Sequence, residues 1–384
     1  MKKSDLHYIK SYLTAYYHRT YGKLYISIKK PEEREWAVLD IDGKMVRHLH
    51  ITSLEVFRDL ISSYTPKGLY HSASYYEHPS EDMNLKHRLA TDVIFDLDAD
   101  HMPRVKVKEV FRCKNEACGE YGESKICRVC GSDTKKIVIV DDEVIEYVKH
   151  ELKRLLSTLY NLLGIEESTT KIFFSGLRGF HIHIEEGPLL EMDDLERIGL
   201  KDFLTLDGID LSLIRDENAY ILNMLTEELP KLLDEASDWE LKAVLKRLDE
   251  LKDNKGEMLK FLKAMRDDRE LLTKLNKFIS SNLGIGVDPA VLTDLSRLIR
   301  APLSIHGRSG LVKIPIEPPR LDDIAVIADA MPTNVKCKVY IHYLPPIVWG
   351  GEEYGPFYRE YITLPESLAI YTVNLGLGES LSIP

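Results

Sequence analysis

Asp96 and Asp98 stand one residue apart in the short apolar run Val93-Ile94-Phe95-Asp96-Leu97-Asp98. Successive side chains of a strand point to opposite faces, so the two carboxylates share a face while Phe95 and Leu97 turn into a core. Side by side they repel unless something positive sits between them. A divalent cation with oxygen ligands, magnesium or manganese, is the usual solution. The plain alternative is a solvated edge strand that carries two acids, and Asp-x-Asp alone does not decide between the two.

A second cluster carries sulfur. Cys113, Cys118, Cys127 and Cys130 form C-x4-C-x8-C-x2-C. Closely paired thiolates are the ligands tetrahedral zinc takes, and with all four positions sulfur no place is left for water, so the expected zinc is structural. An iron–sulfur cluster fits these spacings less well. Cys337 stands alone and reads as a small buried residue.

Two further stretches suit phosphate. Ser175-Gly176-Leu177-Arg178-Gly179-Phe180-His181 holds two glycines, which permit a tight turn with open backbone N–H groups. Arg178 adds a planar fork and His181 a further donor. Later come Asp288-Pro289, Asp294 and Arg300-Ala301-Pro302-Leu303-Ser304-Ile305-His306. Asp288 precedes proline and is biased towards extended backbone, a good posture for presenting a carboxylate. Asp294 reads as the N-terminal acid of a short helix over 295–300. Asp288 is therefore the expected third metal ligand, with Asp100 next by its parity with Asp96 and Asp98. Arg300 and His306 flank a proline-initiated strand and reach an anion from the side opposite Arg178. Three acids for two metals, with cations and donors around them, describe a nucleoside triphosphate site. Two metals roughly 3.5–4 Å apart would activate an attacking hydroxyl and neutralise the leaving pyrophosphate. The arginines and histidines would hold the triphosphate in line. No G-x-x-x-x-G-K-[ST] is present, which excludes a P-loop enzyme.

The elements that must position these groups follow from pattern. Residues 4–21 read as a helix, with Ser4 as cap and Leu6, Ile9, Leu13 and Tyr16 at helical spacing. Tyrosines 8, 12, 16, 17, 21 and 25 crowd there and read as core rather than as a stacking surface for bases. Strands are expected at 23–29, 36–40, 45–51, 69–76, 92–98, 137–140, 171–175, 181–184, 303–306 and 311–316, with helices from Ser53 to Ile61 and over 143–163. The stretch from about 189 to 282 is helical and charge-rich, a solvated insertion. A chain of 384 residues with 44% apolar and 29% charged residues can bury a large core, as one domain with insertions or as two. Its net charge of −11 argues against a surface wrapped all over by nucleic acid, though not against a local basic groove. No run is apolar enough to span a bilayer, and the N-terminus lacks an apolar signal core, so a cytosolic protein is expected.

Taken in order, Phe95-Asp96-Leu97-Asp98, Ser175-Gly176-x-Arg178-Gly179-x-His181 and Asp288 followed by Arg300-x-Pro302-x-Ser304-x-His306-Gly307 resemble the catalytic small subunit family of archaeal and eukaryotic DNA primases. Arg34-Glu35-Trp36, Tyr70-His71-Ser72, Tyr76-Glu77-His78-Pro79 and the cysteine knuckle are similar to that family's pattern too, so that matches span roughly residues 34–310. The resemblance implies an α/β (α+β) fold: a mixed-sheet archaeo-eukaryotic primase core over 1–188 and 283–384, a zinc knuckle inserted at 111–133, and a helical subdomain over 189–282. It implies de novo synthesis of short RNA primers, and in archaeal members DNA as well, on single-stranded DNA from nucleoside triphosphates. Asp96, Asp98 and Asp288 would be the catalytic acids that bind magnesium or manganese. Ser175, Arg178, His181, Arg300 and His306 would contact the nucleotide's phosphates, and Cys113, Cys118, Cys127 and Cys130 would hold zinc. A large primase subunit would be the partner, and the cytoplasm of an archaeal-type cell, close to the nucleoid, the location; no membrane is involved. Leu177 stands where many relatives carry His or Arg, Trp36 replaces the usual Phe, and Arg300 stands where eukaryotic relatives use Lys. Other readings are a repair-type primase-polymerase, an inactive zinc-stabilised nucleic-acid-binding subunit, a metal nuclease and an Asp-x-Asp glycosyltransferase. The last two fit the acids but neither the Ser-Gly-x-Arg-Gly-x-His element nor the distal Arg-Pro-Ser-His run.

Overall fold

A computed structural model describes residues 2–102 and 105–381. The chain divides into two compact units, one of Met1–Met192 with Ala290–Pro384 and one of Asp193–Pro289.

The first unit opens with α1 (Lys3–Ile26), whose Ile9, Leu13, Tyr17 and Leu24 recur at helical spacing and are buried. The strand expected at 23–29 is not there. Leu24 continues the buried stripe of α1, so packing overrides the β-branched residues around it. Tyr12, Tyr16 and Tyr17 are core, as read, and they also hold a distant loop. Tyr12 donates to the carbonyl of Gly310 at 2.5 Å, Tyr16 to that of Leu303 at 2.7 Å, and Tyr17 Oη accepts from Ile305 N at 3.2 Å.

An antiparallel sheet follows, built from β1 (Arg34–Leu39), β2 (Met45–Leu49), β3 (Gly68–Tyr76) and β4 (Arg88–Thr91). Helix α2 (Leu54–Tyr64) interrupts it, capped by the Ser53 hydroxyl, which accepts from Val56 N at 3.3 Å. Arg34, at the start of β1, is wholly buried. It pairs with Asp92 at 2.7 Å and donates to the carbonyls of Lys29 and Ser72 and to Tyr75 Oη. It is a structural post rather than a surface group. Removing one partner of such a pair leaves a buried charge, so Arg34→Met is expected to destabilise the fold by about 3–5 kcal/mol in urea unfolding.

The second sheet carries the acids. Its strands are β5 (Val93–Asp98), β9 (Thr170–Phe174), β10 (Gly179–Ile184) and β12 (Pro315–Ile316), in the order β12-β9-β10-β5, all antiparallel. Phe95 and Leu97 are fully buried while Asp96 and Asp98 are not, the alternation the pattern required. Between β5 and β9 lie the three-stranded cysteine module, β6 (Lys108–Cys113), β7 (Tyr121–Gly122) and β8 (Thr134–Ile139), and helix α3 (Asp142–Ser157).

Two expectations near residue 300 fail. The segment 295–300 is not helical: α9 (Pro289–Thr293) ends first, and β11 (Leu298–Arg300) joins the first sheet against Tyr70–Ser72 of β3. Asp294 is accordingly no helix N-terminal acid; its carboxylate closes a turn on Ser296 N at 2.9 Å and Ser296 Oγ at 2.6 Å. The strands expected at 303–306 and 311–316 shrink to one bridge, Ile305 with Val312, and to β12. Leu303, after Pro302, sits in left-handed backbone at φ 59°, and the chain turns instead of extending. The unit ends with α10 (Val326–Ala330), β13 (Lys336–Leu344), the hairpin β14 (Ile347–Trp349) and β15 (Glu352–Tyr354), β16 (Phe357–Pro365), α11 (Glu366–Leu375) and β17 (Gly378–Ser380).

The second unit is helical: α4 (Asp194–Thr205), α5 (Tyr220–Glu235), α6 (Trp239–Glu250), α7 (Lys255–Ala264) and α8 (Arg269–Leu283). Leu225, Leu229 and Leu232 of α5, Leu245 of α6 and Leu275 and Ile279 of α8 form its core.

Candidate active site

Asp96 and Asp98 open onto a cleft of about 260 Å³ in the first unit, together with Ser175, Arg178, His181, Arg300 and His306. Seven residues singled out from separate stretches of sequence thus line one cavity. Leu177, Tyr70, Arg297 and Arg308 complete much of its wall.

Pairing explains the convergence. On β10, His181 stands opposite Asp96 and Gly179 opposite Asp98. His181 Nε2 lies 3.6 Å from Asp96 Oδ1. Ser175 closes the turn between β9 and β10, donating its N–H to the carbonyl of Gly179 at 2.8 Å. Arg178 projects from that turn to reach Asp98 Oδ1 at 2.6 Å and Asp100 Oδ2 at 2.5 Å. Asp100 does not share the strand's parity, because β5 ends at Asp98 and a 3₁₀ turn follows.

Both glycines of the turn are there for space. Gly176 has φ 92°, and a Cβ on it would lie 2.9 Å from His306 Cβ. A Cβ on Gly179 would lie 2.0 Å from the carbonyl oxygen of Leu97. The close approach lets the phosphate-type turn sit directly on the acidic strand and on the His306 loop.

That loop hangs from α1 through the tyrosines described above, and His306 N donates to the carbonyl of Leu311 at 2.7 Å. Arg300 is held by its strand partner: its guanidinium lies 5.0 Å from the Tyr70 ring centre, with Nη2 donating to Tyr70 Oη at 3.1 Å and Nη1 to the carbonyl of Ile305 at 3.2 Å. Burial, with Arg300, Arg308 and Arg178 nearby, holds His306 well below the ordinary histidine range. His181 is lowered likewise, by burial first and then by Lys313 and His183. Both imidazoles are therefore neutral donor–acceptors near pH 7.

Asp288 lies in the second unit, half-buried, immediately before α9. Sequence gave Tyr70 no role at the site beyond its place in the resemblance, and it missed Arg308 and Lys313. Lys313 gave a signal, a lone lysine inside the apolar run Leu311-Val312-Lys313-Ile314. Arg308 followed His306 within a glycine-bounded loop.

The four cysteines meet in the module of β6, β7 and β8. Their sulfur atoms all lie within 4.8 Å of one another, with Cys113 and Cys130 3.4 Å apart and Cys118 and Cys127 3.8 Å apart. Those spacings are too long for disulfides and suit one tetrahedral metal ion held by thiolates. Gly131, at φ 72°, permits the turn after Cys130 that returns Ser132 to Cys127, whose N–H donates to the Ser132 carbonyl at 2.8 Å. Cys127→Ser is expected to lose one equivalent of bound metal by elemental analysis and to loosen the module; unchanged metal content would refute the site.

No helix of the described residues is long and apolar enough to cross a membrane.

Among known proteins, the profile of the DNA primase small subunit family matches residues 95–318. The DNA primase small subunit PriS of Archaeoglobus fulgidus is 28% identical over 380 residues, covering 96% of this chain and 97% of that one. PriS of Pyrobaculum aerophilum is 30% identical over 307 residues, covering 80% of this chain and 77% of its own. Of solved structures, the polymerase domain from Mycobacterium tuberculosis ligase D in complex with DNA aligns with 82% of this chain and 83% of that chain, at 11% identity and a TM-score of 0.35.

Proposed function

Since the chain belongs to the DNA primase small subunit family, we propose that it is the catalytic subunit that starts short RNA or DNA primers on single-stranded DNA from nucleoside triphosphates. One observation carries this reading: a single cleft is lined by Asp96 and Asp98 and by Ser175, Arg178, His181, Arg300 and His306. An inert nucleic-acid-binding subunit has no need of paired carboxylates beside so many anion-binding groups.

Asp96 and Asp98 offer hard oxygen donors on one strand face, each partly open to the cleft, which fits a magnesium or manganese ion. Asp288 is the third acid of this reading; it stands three residues before Val291, which lines the cleft. When bound, the cations supply activation of the primer or initiating hydroxyl and charge for the leaving pyrophosphate. The protein's own groups orient. Arg178 and Arg300 grip phosphate oxygens, and His181, His306 and Ser175 donate hydrogen bonds to them. Tyr70 fixes Arg300, so little freedom is lost when phosphate arrives.

A second groove, of about 380 Å³, shares Leu177, Arg178 and Arg308 with the cleft and adds Lys135 and Lys136. Lys135, Lys136 and Arg308 support a path for the phosphates of the single-stranded template, while Arg178 is turned to the nucleotide. The cysteine module's metal is zinc in this reading, held by Cys113, Cys118, Cys127 and Cys130 as a structural ion. A large primase subunit is the partner, and the cytoplasm the location.

The test is incubation of the full chain with circular single-stranded DNA, labelled nucleotides and magnesium or manganese. Short labelled products support the reading, and their absence with and without a large primase subunit counts against it. Arg178→Ala is expected to raise the KM for nucleotide roughly 10–100-fold, with template affinity in a filter-binding assay falling less than threefold. A loss of template binding with unchanged KM would contradict the assignment of Arg178.

A further inference from the structure

Lys313 is wholly buried, and its ammonium is met by three acceptors. Nδ1 of His181 lies 2.9 Å from Nζ, Nε2 of His183 3.2 Å and the carbonyl oxygen of Arg300 2.8 Å. Burial, and then the neighbouring Arg300, lowers the pKa of Lys313 from the ordinary lysine range, while Asp96 and Glu185 act to keep it charged; as the ammonium it has three N–H groups, one for each acceptor. His181 and His183 stand two residues apart on β10 and share a face, their rings stacked at 14° with centres 6.1 Å apart. Lys313 sits between their inner nitrogens.

A ring nitrogen that accepts from Lys313 carries no proton of its own. The proton of His181 then lies on Nε2 and that of His183 on Nδ1. Each outer nitrogen faces a carboxylate: His181 Nε2 stands 3.6 Å from Asp96 Oδ1, and His183 Nδ1 stands 3.5 Å from Glu185 Oε1. The opposite tautomers would set a ring lone pair against each carboxylate, and would turn an N–H towards an amine that needs acceptors. Electrostatics at both ends of the line therefore agrees with the arrangement Lys313 imposes.

We propose that Lys313 is a positioning residue that holds His181 as its Nε2–H tautomer, aimed at the Asp96 side of the cleft, so that His181 meets an incoming nucleotide's phosphate as a donor. Through the carbonyl of Arg300 the same ammonium ties down the strand end that carries the second arginine of the cleft. Lys313 touches none of the reacting atoms and acts through His181 and Arg300. The inference rests on the reading of His181 as a phosphate donor, but its first test does not depend on synthesis.

That test is the long-range ¹H–¹⁵N spectrum of the full chain labelled in histidine, without nucleotide, template or added catalytic metal, with the His181 signals assigned by their loss in His181→Asn. Expected is one tautomer, protonated on Nε2, in the wild type. A wild-type His181 protonated on Nδ1 overturns the proposal outright, whether or not any variant folds and whether or not the chain makes primers. Lys313→Met, matched in length but without donors, is expected to shift His181 to mixed tautomers. It should also raise the apparent KM for nucleotide about tenfold while kcat falls less. Lys313→Gln, whose amide keeps donors, is expected to restore the wild-type tautomer and part of the KM. A Lys313→Met chain with wild-type His181 signals and wild-type KM overturns the proposal as well.

Discussion

Asp96→Asn and Asp98→Asn are each expected to cut primer synthesis by roughly a thousandfold or more, with the fold unchanged. Asparagine keeps the shape of the side chain and removes only its charge. Neither carboxylate is part of the apolar core; both open on the cleft while Phe95 and Leu97 do the packing. The Oδ1 of Asp98 also accepts from Asp100 N at 3.1 Å, a contact that an asparagine Oδ1 retains. Arg178 loses an ion pair with Asp98, yet that pair is partly exposed and contributes little to stability. Thermal unfolding should therefore coincide with the wild type while product vanishes. Substantial synthesis by either variant would remove these residues from the chemistry.

Gly179→Ala is expected to destabilise the first unit by roughly 3 kcal/mol or more and to abolish synthesis. The added Cβ would meet the carbonyl oxygen of Leu97 at 2.0 Å, and that atom is backbone of the neighbouring strand, which cannot swing aside as a side chain can. Relief requires β10 to separate from β5 at the point where Gly179 faces Asp98. The same change thus moves both an acid and the turn that carries Arg178. Gly22→Ala is the matching control. It lies within α1 with nothing within 4 Å of the new Cβ, and it should stabilise by up to about 1 kcal/mol. Urea unfolding of the two variants reads both signs, and a neutral Gly179→Ala would mean that the strands pair differently.

Much of the cleft was legible because its groups obey local rules. The two-residue period of β5 put Asp96 and Asp98 on one face, and two glycines flagged the turn that carries Ser175 and Arg178. The cysteine spacing likewise pointed to four converging sulfurs. Where tertiary contacts decide, local pattern misled. Residues 295–300 carry helical spacing, yet β3 recruits Leu298–Arg300 as a strand. The run from Leu303 reads as extended, yet hydroxyls from α1, nearly 300 residues earlier, clasp it as a loop. Lys313 falls within the stretch 311–316 read simply as a strand, and its partners, the stacked pair of histidines on β10, lie about 130 residues away. Such long-range partners leave no local periodicity to read.

The most direct measurement of whether Asp96, Asp98 and Asp288 act together is manganese binding followed by electron paramagnetic resonance, with and without a nucleoside triphosphate. The wild type should bind manganese tightly only when the nucleotide is present, and Asp96→Asn, Asp98→Asn and Asp288→Asn should each lose that nucleotide-dependent binding while keeping the cysteine-bound metal. Wild-type manganese binding by Asp288→Asn, or by the Asp96→Asn and Asp98→Asn double variant, would contradict it.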